Sequence, residues 1–420
     1  MRRDFIHQVN KEGGGRSRGG SFFGIPPVIN VLVLAVLMIV VVSTSISDAT
    51  AAGIVEKNPS PTPAATAEPA NGGEEAATPD PAAEATPEPQ PVNEGARGGL
   101  QSEAAPTAKP TDAPVKDTKD LVTETLGGVM VAGDSAYEYY NFNRSAADAY
   151  IDTLNGAADS LSGKANFYEM IVPTSMGVLF SAEDNEKFGS NDQQKAIDYI
   201  YGSLNGNVKT VDLWTAMKAN ADKYIYFRTD HHWTSLGAYY AYRAAMEASG
   251  NTPLELSQYT KREYPGYLGS FYEQSENNPA LGGNPDTLEQ YLPPDYEDTV
   301  LTLTQTDGET FQWPMIADAT DYGTTEKYIS FIGGDQPYEE IYNPKALTDR
   351  SCILIKESFG NAFAPYLTSN YQYVYVIDYR SYGGKIQDLV EEKGVADVFV
   401  LNNMSATRNE DLVESLGTIF

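Results

Sequence analysis

Read from about Asp120 onward, this 420-residue chain predicts an α/β sheet domain. Two observations point there. Short runs of apolar and β-branched residues recur along the last 300 residues, and stretches with helical spacing alternate with them. Several of the apolar runs also end on a turn or an acidic residue, where a strand would hand over to a loop or a helix.

The elements follow in order. Gly128-Val129-Met130-Val131-Ala132-Gly133-Asp134 reads as a strand and a turn. Residues 145–161 read as a helix, because Ala147, Tyr150, Ile151, Leu154 and Ala158 recur at helical spacing. Residues 166–173 read as a strand, 193–204 as a helix and 208–212 as a short strand. The strand-like run Tyr224-Ile225-Tyr226-Phe227 comes next. Residues 235–249 then read as a helix, with Thr234 or Ser235 as its cap. Residues 255–345 are rich in Gly, Pro, Asn and Tyr, and their strand pieces are shorter, as in Val300-Leu301-Thr302-Leu303. They read as an insertion or lid-like region. Cys352-Ile353-Leu354-Ile355-Lys356, the run 373–378 and the run 398–403 complete the alternation. Open α/β sheets carry their sites at the carboxyl ends of the strands.

The first 118 residues have a different character. A basic leader, 1–27, carries Arg2, Arg3, Lys11, Arg16 and Arg18. An uncharged apolar run over 28–47 has the length of a membrane span, about 20 residues. The basic flank precedes it, which predicts a single-pass anchor with a cytoplasmic N-terminus and an extracellular C-terminal domain. A cleaved signal peptide is the competing reading, with Ala49-Thr50-Ala51 as its cut site. Residues 48–118 are rich in Pro, Ala, Thr and Glu and nearly lack large apolar side chains, so they read as a disordered linker. The folded domain is expected over 119–420.

Formal net charge is −29. No basic patch stands out in the last 300 residues, so duplex nucleic acid is not an expected partner. The single cysteine, Cys352, forms no intrachain disulfide and sits among apolar neighbours like a buried strand residue. No phosphate-cradling or dinucleotide fingerprint stands out, so no nucleotide cofactor is expected.

Of three histidines, His7 lies in the leader, and the other two are adjacent, in Thr229-Asp230-His231-His232-Trp233-Thr234. In an extended segment, residues two apart share a side. Asp230 can then orient the His232 imidazole while His231 points away. That is two thirds of a nucleophilic triad. Zinc is the weaker reading, because adjacent histidines diverge and the domain offers neither a third histidine nor a cysteine cluster.

Two serines follow strand-like runs at an acidic step: Ser135 in Gly133-Asp134-Ser135 and Ser358 in Lys356-Glu357-Ser358-Phe359-Gly360-Asn361. A serine at a strand end that opens a helix has backbone N–H groups nearby to hold an oxyanion. Gly360 and Asn361 favour Ser358, whereas bulky tyrosines follow Ser135. Either serine also serves as an ordinary helix cap. Trp233 reads mainly as packing and Arg380 as an ion-pair partner, with substrate contact as the alternative for each.

The stretch Thr229-Asp230-His231-His232-Trp233-Thr234-Ser235-Leu236-Gly237-Ala238-Tyr239-Tyr240 closely resembles the signature of the bacterial DHHW family, which is similar to the AlgX/AlgJ-type O-acetyltransferases. The likeness continues through Gly269-Ser270-Phe271-Tyr272, Phe331-Ile332-Gly333-Gly334-Asp335, the Ser358 segment and Asp378-Tyr379-Arg380. It implies an SGNH-hydrolase-like (flavodoxin-like) fold, a mostly parallel sheet with helices on both faces. It also implies a triad of Asp230, His232 and Ser358, with Ser358 as nucleophile. Gly360, Asn361, Trp233 and Arg380 are the candidates for oxyanion or substrate contact. Glu357 departs from the acid that related proteins often have before the nucleophile. The implied activity is acyl transfer, O-acetyltransferase or O-acetylesterase, on an exported polysaccharide or cell-wall glycan. The implied donor partner is a multi-span membrane acyltransferase. The alternative is a non-catalytic glycan-binding or assembly protein on the same fold.

Overall fold

Strand β11 (Ser351–Lys356) lies near the middle of the main sheet, and every one of its residues is buried. The computed structural model describes residue 118 and residues 121–420. The leader, the apolar run and the linker up to residue 117 lie outside the described residues. Among the described residues no helix is long and apolar enough to cross a membrane.

The first strands form a small antiparallel sheet of their own: β1 (Thr123–Leu126), β2 (Val129–Ala132) and β3 (Ser135–Glu138). Gly127 and Gly128, both at positive φ, make the two-residue turn between β1 and β2. Ser135 therefore opens a hairpin strand. It does not sit at the end of a parallel strand, as its flanking sequence suggested.

The main sheet has eight strands in the order β5-β4-β13-β11-β12-β10-β8-β9. These are β4 (Asn166–Val172), β5 (Val208–Thr210), β8 (Val300–Thr304), β9 (Thr310–Trp313), β10 (Tyr338–Tyr342), β12 (Tyr373–Asp378) and β13 (Asp397–Asn403), beside β11. The five from β5 to β12 in that order run parallel, and β10, β8 and β9 are antiparallel. The stretch expected as an insertion or lid is thus partly sheet, since β8, β9 and β10 extend it from β12. The rest of that stretch forms a separate hairpin, β6 (Thr260–Tyr267) with β7 (Asp286–Leu292).

Side chains alternate across the parallel strands, and each face has its own core. Ile353, Ile355, Ile377, Val398 and Val400 pack with the helices Arg144–Ser160, Gln193–Ser203, Ile386–Lys393 and Glu410–Thr418. Cys352, Leu354, Val374, Val376 and Leu401 pack on the other side with the helices Ser235–Ala248 and Gly360–Leu367. Strands buried on both faces read as continuous apolar runs, which is why β11, β12 and β13 stand out in the sequence. The run at 224–227 forms only one bridge, Tyr226 with Trp233.

Candidate active site

The chain leaves β11 at Lys356, turns through Glu357, Ser358 and Phe359, and enters the helix Gly360–Leu367. Short contacts fix this turn. The Gly360 N–H donates to Glu357 O at 2.9 Å, and the Asn361 N–H donates to Ser358 O at 3.2 Å. The Glu357 carboxyl accepts the Phe359 N–H at 3.1 Å and the Asn403 N–H, from the end of β13, at 2.9 Å. The Tyr328 hydroxyl donates to Ser358 O at 3.2 Å, and the Trp233 indole N–H donates to Phe359 O at 3.0 Å.

Asp230 and His232 come from the loop that precedes the helix Ser235–Ala248. Thr234 caps that helix, its hydroxyl accepting the Gly237 N–H. Asp230 Oδ1 accepts the His232 backbone N–H at 2.8 Å and lies 2.6 Å from His232 Nδ1. His232 Nε2 lies 2.8 Å from Ser358 Oγ. The three predicted side chains are therefore in one hydrogen-bonded line. The serine hydroxyl has a second acceptor, Glu357 Oε2, but at the longer distance of 3.3 Å.

The far side of Asp230 is also held. Its Oδ2 accepts the Ser270 N–H at 2.7 Å. A Cβ on Gly269 would lie 2.1 Å from that oxygen, so the residue there has to be glycine. Burial pushes the Asp230 carboxyl up. The His232 and His231 rings, the His232 hydrogen bond and the Ser270 N–H outweigh it and hold the pKa well below the usual carboxylate range. Asp230 is thus a carboxylate. It accepts a hydrogen bond from Nδ1–H, which keeps the proton on Nδ1 and leaves Nε2 free to accept from the serine. Asp286, wholly buried, fixes the loop from below by accepting the Thr229 N–H and hydroxyl at 2.8 and 2.7 Å.

The second histidine departs from expectation. The loop turns back on itself instead of running extended, so strand alternation does not apply. The His231 ring lies 3.8 Å from the His232 ring, centroid to centroid. Tyr328 stacks on His232 at 4.0 Å with an interplanar angle of 14°. Tyr328 had no signal in the sequence beyond being one of 28 tyrosines.

The expected oxyanion and substrate contacts also change. The Gly360 N–H is used within the turn, and a Cβ there would lie 2.4 Å from Lys356 Cβ. Gly360 therefore serves close packing of helix on strand. Asn361 is buried and its side-chain N–H donates to Asp335 at 2.9 Å. Trp233 is fully buried and does not line the cleft over Ser358. Arg380 does line the cleft beside Ser358, but it is ion-paired to Asp378 and Asp335, which also hold the buried Lys356. The Ser358 N–H has no partner among the described residues. Ser135 is buried at 2% exposure, its hydroxyl bonded to Asp134, which pairs with Arg228.

Asp230, His231 and His232 could also bring three ligand atoms within 4.8 Å. Both ring nitrogens of His232 are already engaged, however, and Nδ1 of His231 faces Ser270 Oγ at 2.5 Å. The hydrogen-bonded line of Asp230, His232 and Ser358 therefore suits proton transfer, with His231 standing outside it.

The family model described as DHHW protein matches residues 103–377. A DHHW family protein from Eubacterium siraeum has a solved structure similar to this one, with a TM-score of 0.64 and 29% identity, over 70% of this chain and 97% of that one. PatB1 of Bacillus cereus matches with a TM-score of 0.58 and 19% identity over 70% of this chain and 99% of its own, a likeness of fold. The O-acetyltransferase domain of Pseudomonas putida AlgJ is far more remote, with a TM-score of 0.36 and 14% identity over 71% of this chain and 99% of its own. No curated protein matches the sequence.

Proposed function

The chain belongs to the DHHW protein family, and from that membership and the line of Asp230, His232 and Ser358 we propose an SGNH-hydrolase-like serine acyl-transfer enzyme. It works outside the membrane on an exported polysaccharide or cell-wall glycan, as an O-acetyltransferase or O-acetylesterase. The observation that carries the reading is the 2.8 Å contact of His232 Nε2 with Ser358 Oγ, backed by the buried Asp230. A glycan-binding protein would have no use for a serine hydroxyl aligned on an oriented imidazole.

The residues act in sequence. His232 takes the Ser358 proton as Oγ attacks the acyl carbon, and Asp230 stabilises the imidazolium. The Ser358 N–H faces the developing oxyanion. The leaving group takes the proton from His232, leaving an acyl-serine. Water or a sugar hydroxyl then gives its proton to His232 and takes the acyl group.

The acyl donor partner we propose is a multi-span membrane acyltransferase, since an acetyl group made in the cytoplasm has to cross the membrane to reach a domain outside it. The apolar run over 28–47 with its basic flank supports reading the domain as lying outside, and protease added to intact cells should then cut the domain; full protection there would contradict that placement. For the chemistry, the full-length chain is assayed with 4-nitrophenyl acetate. Ser358→Ala and His232→Ala should lower turnover by about a thousandfold or more, and Ser135→Ala should leave it within about twofold. Loss in Ser135→Ala alone would move the nucleophile.

A further inference from the structure

Two clefts meet at His231. The one over Ser358 holds about 450 Å³. The other, about 320 Å³, is lined by Val129, Tyr139, Phe271 and Gln274. Glu138, His231 and Arg408 line both. The second histidine therefore stands between the nucleophile's chamber and a neighbouring one, and the acyl-transfer line makes no use of it.

Its ring is held through Nδ1. Ser270 Oγ accepts the His231 backbone N–H at 3.3 Å and lies 2.5 Å from Nδ1. A serine hydroxyl that accepts the backbone proton has its own proton left to donate, and Nδ1 is the acceptor in reach. The imidazole proton then sits on Nε2, which no described residue binds. Burial and the His232 ring push the His231 pKa down, against Asp230, Glu138 and Glu357, which push it up, and the ring stays neutral. Ser270 alone bears on both histidines: its N–H holds Asp230, which orients His232, and its hydroxyl holds His231. Phe271, next in the chain, lies 6.3 Å from the His231 ring and lines the 320 Å³ cleft.

We propose that His231 is the acceptor-binding residue: its Nε2–H holds the oxygen of a sugar hydroxyl arriving from the 320 Å³ cleft, beside His232. This role rests on the acyl-serine reading above. In the step concerned, the acceptor oxygen forms its bond to the acyl carbon and the bond from that carbon to Ser358 Oγ breaks. The acceptor proton passes to His232 Nε2 and from there to Ser358 Oγ. His231 gains and loses nothing; it donates one hydrogen bond that water, bound anywhere in the cleft, does not need. A neutral histidine can serve as such a donor without becoming charged. The donor is thereby a device for choosing a sugar hydroxyl over water.

The test separates the two halves of the reaction. Full-length enzyme is acetylated with 4-nitrophenyl acetate in the presence of methyl α-glucopyranoside, and acetyl-enzyme, free acetate and acetylated glycoside are each measured. His231→Phe keeps the stacked ring and removes the donor, while His231→Gln restores an N–H near the Nε2 position. The expected result is acetyl-enzyme formation within about twofold of wild type in both variants. In His231→Phe the ratio of glycoside ester to acetate should fall by about tenfold, the worth of one hydrogen bond, and His231→Gln should recover most of it. An unchanged ratio in His231→Phe overturns the proposal. So does loss of acetyl-enzyme in both variants, which is what a purely structural histidine would give. A wild-type enzyme that passes acetyl only to water overturns it as well. A wild type that forms no acetyl-enzyme defeats the acyl-serine reading itself.

Discussion

Asp230 is the residue on which the site turns. It is 3% exposed, and it holds the His232 ring with one oxygen and the Gly269-Ser270 segment with the other. A carboxylate so buried persists because the His232 ring and two backbone N–H groups, of His232 and Ser270, bond to it. Asp230→Asn preserves the shape but cannot compel the Nδ1–H tautomer. Turnover of 4-nitrophenyl acetate should then drop by about a thousandfold with the far-UV spectrum unchanged. A loss of under about tenfold would mean that the loop, not the charge, orients His232. Ser358 itself is gripped through its neighbours: the bonds from Tyr328, Trp233 and Asn403 fall on its own carbonyl, the Phe359 carbonyl and the Glu357 carboxyl. The hydroxyl is left to His232.

At the scale of elements, the contact of β11 with the helix Gly360–Leu367 decides where the nucleophile stands. The 2.4 Å approach to Lys356 Cβ leaves no room for a side chain at Gly360. Gly360→Ala should destabilise by about 1–3 kcal/mol in urea unfolding, as overpacking does, and should slow acylation beyond that loss. Unchanged stability would mean that the helix can slide. The elements legible in the sequence were those with a strong period or a continuous apolar run. The helix Arg144–Ser160 and the strands β11, β12 and β13 all fell within a residue or so of expectation. Of the antiparallel strands, β8 was legible as the short piece at 300–303, whereas β10 and β9 were missed because half-exposed strands lack a continuous apolar run; β9 is exposed throughout. The site divides along the same line. Asp230 and His232 were visible because the chain has only three histidines, and Ser358 because it follows a continuous apolar run and lies in a segment that carries the family likeness. Tyr328 and Asp286 were not, because their roles come from packing across the fold. Gly360 and Asn361 were assigned by proximity in sequence, yet the helix turn directs one N–H inward and the other side chain to Asp335.

For the molecule as a whole, the two cores are joined by a sheet that carries buried carboxyls. Glu169, on β4, is wholly buried, and its one side-chain bond is from the Tyr150 hydroxyl at 2.6 Å. Burial raises its pKa to about 8 from the ordinary glutamate value of about 4.5, against that hydrogen bond. The folded chain keeps this proton where the unfolded chain has already lost it. The group's contribution to stability is full below about 4.5 and is lost as pH rises toward about 8. Urea unfolding of the wild type should therefore show lower stability at about pH 8 than at about pH 5, and Glu169→Gln should flatten the difference. Parallel pH profiles for the two proteins would place the charge change elsewhere. The central claim concerns Ser358, and an intact-mass and peptide-mapping measurement tests it most directly. Full-length chain is mixed with 4-nitrophenyl acetate and quenched in acid. The expected result is one acetyl group on the peptide containing Ser358, absent from Ser358→Ala and His232→Ala and present in Ser135→Ala. An acetyl group on any other residue, or one that persists in Ser358→Ala, would contradict the assignment.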